Sequence, residues 1–307
     1  MRIVFMGTPE FGECSLRALL DAGYDVIAAF TQPDKPSNRG MKLQPSPVKA
    51  LCMERGIQVF TPSTFKDGVP TSQLKALAPD LVVTAAYGKI LPQSFLDVPR
   101  LGCINVHGSL LPRHRGAAPV QWAVLKGDQT TGVSVQYMVK GMDEGDVLST
   151  VETEIGEFET SGELFDRLMV LGAELLVKTV AEIEADTAVA VKQDESLATY
   201  TTMLDKSMSP IDWTKTPREI VKHICGLDPW PVATMTIGND SLKVYAAAYT
   251  EHTSTLPAGT IIAADKKGIE FVCGNGETLL ITELQAPGKK RMAAGAFVQG
   301  HPIPVHG

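Results

Sequence analysis

Residues 102–119 read Gly102-Cys-Ile-Asn-Val-His-Gly-Ser-Leu-Leu-Pro-Arg-His-Arg-Gly-Ala-Ala-Pro119. An apolar run ends here in an amide, an imidazole and a turn stiffened by Pro112. Asn105 and His107 lie two residues apart, so in extended backbone their side chains leave the same face. A neutral hydrogen-bond donor beside a titratable ring suits attack on a carbonyl carbon, since one group steadies the oxygen while the other moves a proton. The stretch therefore reads as a strand end that carries chemistry.

Upstream, short apolar runs alternate with helical segments. Arg2–Met6, Asp25–Thr31, Ile57–Phe60, Leu81–Ala86 and Cys103–Val106 are strand-like. Glu10–Ala22, Ser46–Arg55, Thr71–Ala78 and Ala117–Lys126 suit helices. Thr8-Pro9-Glu10 and Ser46-Pro47 both look like helix caps with a proline at the first helical position. Such alternation implies a Rossmann-like, doubly wound, mostly parallel sheet with sites beyond the carboxyl ends of its strands. Gly7 follows the first strand, yet no GxGxxG is present, so the topology does not imply a dinucleotide.

Downstream, a strand at Thr131–Val139 leads to Gly-Met-Asp-Glu-Gly-Asp at 141–146, and a long helix runs from Ser161 to about Ala185 with core leucines. The pattern then turns mixed and polar. After a helix at Pro217–Cys225 and Asp228-Pro-Trp-Pro231, short strands take over: Ala233–Ile237, Ser241–Thr250, Gly259–Ala264, Gly268–Cys273 and Thr278–Leu284. Many short strands at this spacing suggest a small β-barrel. The expected organisation is a catalytic domain over 1–186, a linker over 187–208 and a barrel domain over 209–307.

The 307 residues are 44% hydrophobic and 21% charged. The N-terminal apolar run is too short for a signal peptide or a membrane span, so the expected compartment is the cytoplasm. Five scattered cysteines without a CxxC read as buried thiols, and the six histidines lack metal spacing, so no metal is expected. A net charge of −7 argues against a general nucleic-acid binder. The distribution is uneven, however: residues 1–205 carry 18 basic and 26 acidic side chains, residues 206–307 carry 10 and 9. Lys35, Arg39, Lys42 and Lys49 cluster around a single acid, Asp34, and Lys289-Lys290-Arg291 forms a second basic run.

Residue chemistry assigns Asn105 to the carbonyl oxygen and His107 to the proton. A carboxylate from the 141–146 loop would hold the imidazole, and sequence alone leaves Asp143 and Asp146 as rivals. Arg113 and Arg115 are open between ligand contacts and bonding of loop carbonyls.

The 102–119 block and the 141–146 loop resemble the folate-dependent formyltransferases. VFMGTPEF at 4–11 and Asp228-Pro-Trp-Pro231 extend the likeness over nearly the whole chain, to the branch of that family acting on methionyl-tRNA. The resemblance implies transfer of a formyl group from 10-formyltetrahydrofolate to the free amino group of methionyl-initiator tRNA for translation initiation, by a monomer. It assigns catalysis to Asn105, His107 and Asp143, which decides between the two aspartates, and the donor contacts to Ser109, Leu110, Leu111 and Pro112. It also gives the insertion carrying Lys35, Arg39, Lys42 and Lys49 to the tRNA, with Arg39 as the key residue, and makes the second domain an OB-like barrel that touches tRNA. The alternative is a folate-dependent formyltransferase acting on an amino sugar nucleotide. A non-catalytic tRNA- or folate-binding protein is the reading from another class, and the intact trio weighs against it.

Overall fold

The computed structural model describes residues 1–37 and 42–305, and the chain forms two compact units. The first comprises the described residues of Met1–Ala117, Thr131–Thr153 and Asp166–Thr201. The second comprises Ala118–Thr130, Glu154–Phe165 and the described chain from Thr202 onward.

The chain begins β1 (Arg2–Gly7), α1 (Glu10–Asp21), β2 (Asp25–Phe30), β3 (Lys35–Ser37), β4 (Lys42–Gln44), α2 (Pro47–Arg55) and β5 (Gln58–Phe60). It continues α3 (Val69–Leu77), β6 (Leu81–Ala85), α4 (Gln93–Leu96), β7 (Cys103–His107) and β8 (Arg115–Gly116). After α5 (Pro119–Leu125), which belongs to the second unit, come β9 (Thr130–Tyr137), β10 (Val147–Glu154), α6 (Ser161–Glu184) and β11 (Tyr200–Thr201). The main sheet has the order β10-β9-β7-β6-β1-β2-β5. β1 pairs in parallel with β2 and β6, β6 with β7, and β2 with β5, while β9 runs antiparallel to β7. This is the mostly parallel sheet expected. Parallel strands covered on both faces need continuous apolar runs, and β6, Leu-Val-Val-Thr-Ala, is buried throughout.

Three local readings are corrected. Thr8 does not cap α1: Pro9 sits at the N-cap without a side-chain bond, and the Thr8 hydroxyl instead accepts from the Gln32 N–H. Ser46 does cap α2, accepting the Lys49 N–H at 3.1 Å. The basic insertion, which lies outside every strand and helix read from the sequence, contains two short strands, β3 pairing antiparallel with β4. In addition, the 187–201 stretch, read as part of a linker, is bonded into the first unit. Val191 bridges Val147, and β11 pairs in parallel with β8.

In the second unit α7 (Pro217–Leu227) starts at a capping box, where Thr216 and Glu219 each accept the other's backbone N–H. The antiparallel strands follow as β12 (Ala233–Ile237), β13 (Asp240–Thr253), β14 (Ile261–Asp265), β15 (Gly268–Val272), β16 (Glu277–Gln285) and β17 (Met292–Ala293), closed by α8 (Ala294–Gly300). Their order is β12-β13-β16-β15-β14, with β17 on β16. The 14-residue β13 shifts register three times along β16, which bends the sheet as a small barrel requires. The half-buried Trp213 stacks on the buried Phe271, with ring centroids 4.0 Å apart, and covers that part of its core. Among the described residues no helix is long and apolar enough to cross a membrane.

Candidate active site

β7 ends as predicted, with Asn105 and His107 on one face near the middle of the main sheet. Asn105 is half-buried, and its side-chain amide has no hydrogen-bond partner among the described residues. A half-buried amide left with spare donors suits a ligand oxygen. His107 is 6% exposed. Its Nε2 lies 2.9 Å from the His114 carbonyl oxygen, and its Nδ1 lies 3.6 Å from Asp143 Oδ2. A carbonyl can only accept, so the contact puts a hydrogen on Nε2 and leaves Nδ1 as the nitrogen that faces the carboxylate.

The geometry separates the two candidate aspartates. Asp143, at φ 55°, turns its carboxylate toward His107. Asp146 serves through its backbone, accepting the Tyr137 N–H at 2.9 Å. Asp143 receives donors only, Gln136 Nε2 on Oδ1 at 3.0 Å and the Gly116 N–H on Oδ2 at 2.8 Å. Gly116 sits at φ 100°, and a Cβ there would meet the Thr201 carbonyl oxygen at 2.6 Å. At Gly145 a Cβ would meet the Tyr137 carbonyl oxygen at 1.7 Å, so the loop can lie this close to β9 only with glycine there.

The loop after β7 is held by its own polar groups. Ser109 is fully buried, and its hydroxyl donates to the Arg113 carbonyl at 2.6 Å. Ser134 donates to the Ser109 carbonyl and accepts the Leu111 N–H. The Ser109 side chain thus secures the turn, while Leu110, Leu111 and Pro112 are half-buried. The Leu111–Pro112 peptide is cis. Burial pushes the neighbouring Cys103 thiol up to about 12, which keeps it protonated and unreactive at neutral pH.

Two residues bearing on the site went unread, and a third was left open. Gln136 and Gln193 have no sequence signature beyond polarity. Arg115, left open above, has a fully buried side chain whose partners among the described residues are side chains. Its guanidinium donates to Glu195 through Nη1 at 2.9 Å and Nη2 at 2.7 Å, to Gln193 Oε1, and to the Tyr200 hydroxyl. Hydrogen bonding to Arg115 holds the Glu195 carboxyl below its usual range. The only available hint was an arginine inside the 102–119 stretch itself.

The basic insertion is only partly described. Lys35 and Lys42 lie on β3 and β4, and Arg39 lies outside the described residues. Lys49 is in the first turn of α2 with its ammonium 2.6 Å from Asp34 Oδ2. That cation is already paired. Among the described residues, no cluster of three metal-binding side chains occurs.

Residues 1–180 match the family described as formyl transferase, and residues 203–302 match the formyl transferase C-terminal domain. The chain is 44% identical over 299 residues to the methionyl-tRNA formyltransferase of Bacillus subtilis, covering 97% of this chain and 94% of that protein. It is 44% identical to that of Bacillus thuringiensis, covering 98% and 96%. Among solved structures, it resembles an N-formyltransferase from Helicobacter canadensis in complex with folinic acid and dTDP-3-aminofucose. That match has a TM-score of 0.70 at 16% identity and covers 92% of this chain and 98% of that one. It is a likeness of fold. Two domain matches in the family's order and near-full-length relatives at this identity establish that the chain belongs to the formyl transferase family.

Proposed function

We propose that the protein transfers a formyl group from 10-formyltetrahydrofolate to the free amino group of methionyl-initiator tRNA, in the cytoplasm and as a monomer. The observation that carries this reading is the trio around the end of β7, an Asn105 amide with no partner among the described residues beside a His107–Asp143 pair, in a chain 44% identical to proteins named methionyl-tRNA formyltransferase. The sugar-nucleotide reading rests on structures of 16% identity and is the weaker one.

The residues fit a nitrogen-bound formyl donor. When bound, the donor supplies an electrophilic formyl carbon attached to nitrogen. Transfer makes one C–N bond and breaks another, the amine loses a proton, and the departing nitrogen takes one. Asn105 donates to the formyl oxygen as it gains charge and undergoes no change of charge itself. His107, with Nε2–H fixed on the His114 carbonyl, exchanges the proton at Nδ1. Asp143, held by Gln136 and the Gly116 N–H, stabilises the imidazolium that forms. Leu110, Leu111 and Pro112 wall the donor side, with Ser109 bracing the turn from within. On the RNA side, Lys35, Arg39 and Lys42 meet phosphates near the acceptor end, with Arg39 supplying the bidentate contact. Lys49 belongs to the same surface but is partly neutralised by Asp34.

The test is purified protein with 10-formyltetrahydrofolate and charged initiator tRNA, set beside an amino sugar nucleotide under the same conditions. Formylated methionyl-tRNA is the expected product. Turnover on the sugar nucleotide alone would overturn the proposal.

A further inference from the structure

Asp143 does not stand in the loop unaided. Gln193 reaches it from 50 residues further along the chain: its Nε2 donates to the carbonyl oxygens of Asp143 and Gly145, each at 2.7 Å. The same nitrogen lies 3.2 Å from Gln136 Oε1. On the other end of the amide, Gln193 Oε1 accepts from Arg115 Nε at 3.1 Å and Nη2 at 2.9 Å.

The direction of these bonds is forced. A guanidinium has donors and no acceptor, so Gln193 must turn its oxygen toward Arg115 and its NH₂ toward the Asp143 loop. The two carbonyls at 2.7 Å take the two hydrogens of that NH₂, so Gln136 Oε1 at 3.2 Å shares one of them in a weaker three-centre contact. The Asp143 carboxylate, which only accepts, itself draws the Gln136 NH₂ to Oδ1 and so turns the Gln136 oxygen toward Gln193. The buried Arg115 thus orders the Gln193 amide against the backbone of the Asp143 loop, and the Gln136 amide lies between Gln193 and the carboxylate that faces His107. Gln193 also holds the Asp143 carbonyl while that residue sits at φ 55°, a region a non-glycine residue enters at a cost.

We infer that Gln193 is a positioning residue for the formyl transfer, acting through Asp143 by fixing both its backbone and, through Gln136, its carboxylate. This rests on the reading of Asp143 as the carboxylate partner of His107.

The test is a double-mutant cycle on the full chain. Gln193→Met keeps length and removes every hydrogen bond. It should lower kcat about 10²-fold, the loss expected from misplacing a reacting group by about 1 Å, with the KM for donor and for charged tRNA changed less than about two-fold. Asp143→Asn should lower kcat on its own, and adding Gln193→Met to it should cost little more, because Gln193 works only through that carboxylate. Losses that multiply in the double variant, or a Gln193→Met variant with normal kcat, would overturn the inference. If Asp143→Asn itself keeps normal turnover, the reading of Asp143 fails instead. Hydrogen exchange separates positioning from general loosening. In Gln193→Met the Gly116 amide, which donates to Asp143 Oδ2, should exchange faster while β1 and β6 amides keep their protection. Unchanged Gly116 protection would also overturn it.

Discussion

One accepting carbonyl decides much of the chemistry at the residue scale. Because the His114 oxygen takes the Nε2 hydrogen, the His107 ring cannot flip its proton to the far side, and its exchangeable position stays aimed at Asp143. Asn105 complements this with donors that nothing else in the described protein uses. Asn105→Ala should therefore lower turnover on the order of 10²–10³-fold, the usual effect of removing one oxyanion donor, with little change in thermal stability. Asp143→Asn should be at least as severe, and Asp146→Asn mild. Turnover of each purified variant decides it: if the Asp146 change is the damaging one, the carboxylate has been misassigned. The sequence showed all three catalytic candidates because strand periodicity puts Asn105 and His107 on one face and a glycine-flanked loop marks the acid. Gln193 and Arg115 were illegible as a pair because their contact links positions 78 apart in the chain, and no local pattern encodes it.

Elements show the same division. β1, β2, β6 and β7 were readable since strands buried on both faces must be apolar along their length. β10, Val-Leu-Ser-Thr-Val-Glu-Thr-Glu, was missed because it is an edge strand whose exposed positions carry polar side chains. β8 and β11 are two residues each and have no pattern to read, yet their pairing brings Gly116 against Thr201 and sets its N–H on Asp143. Gly116→Ala would force a Cβ into the Thr201 carbonyl at a positive φ. It should lower stability by roughly 1–3 kcal/mol and turnover with it, as denaturant melts and kinetics would show; an unaltered variant would mean that the β8–β11 pairing does not position Asp143. In α7 a pH response is built in. Burial holds the His223 imidazole below its ordinary value, with the Ser209 carbonyl and Asp212 opposing that shift. The unfolded chain then binds the proton more readily than the folded one, so this contribution is complete above about pH 6.5 and is lost as pH falls through the lower folded value. The thermal midpoint should drop on acidification below that point, less steeply in His223→Gln. Identical slopes would assign the acid sensitivity to other groups.

For the whole molecule the question is how a protein of net charge −7 meets RNA. Local cations must do it, and they are not equivalent. Lys49 is spent on Asp34, and Arg291 on Glu283 and Asp228. Arg39→Ala should therefore raise the KM for charged tRNA and flatten its dependence on salt, while Lys49→Ala should do so far less. Equal slopes for wild type and Arg39→Ala would remove the insertion from the RNA surface. The buried Arg115 has a consequence for how such a chain can be cut and rejoined. The first family match stops at residue 180, before Gln193, Glu195 and Tyr200. A chimera spliced there between two relatives would carry all three candidate catalytic groups from one parent and the counter-ion of its innermost guanidinium from the other. A crossover after Thr201 takes the whole first unit from one parent, together with the Ala118–Thr130 and Glu154–Phe165 segments of the second, and a recombinant library divided at that position should retain folded members that one divided at residue 180 loses.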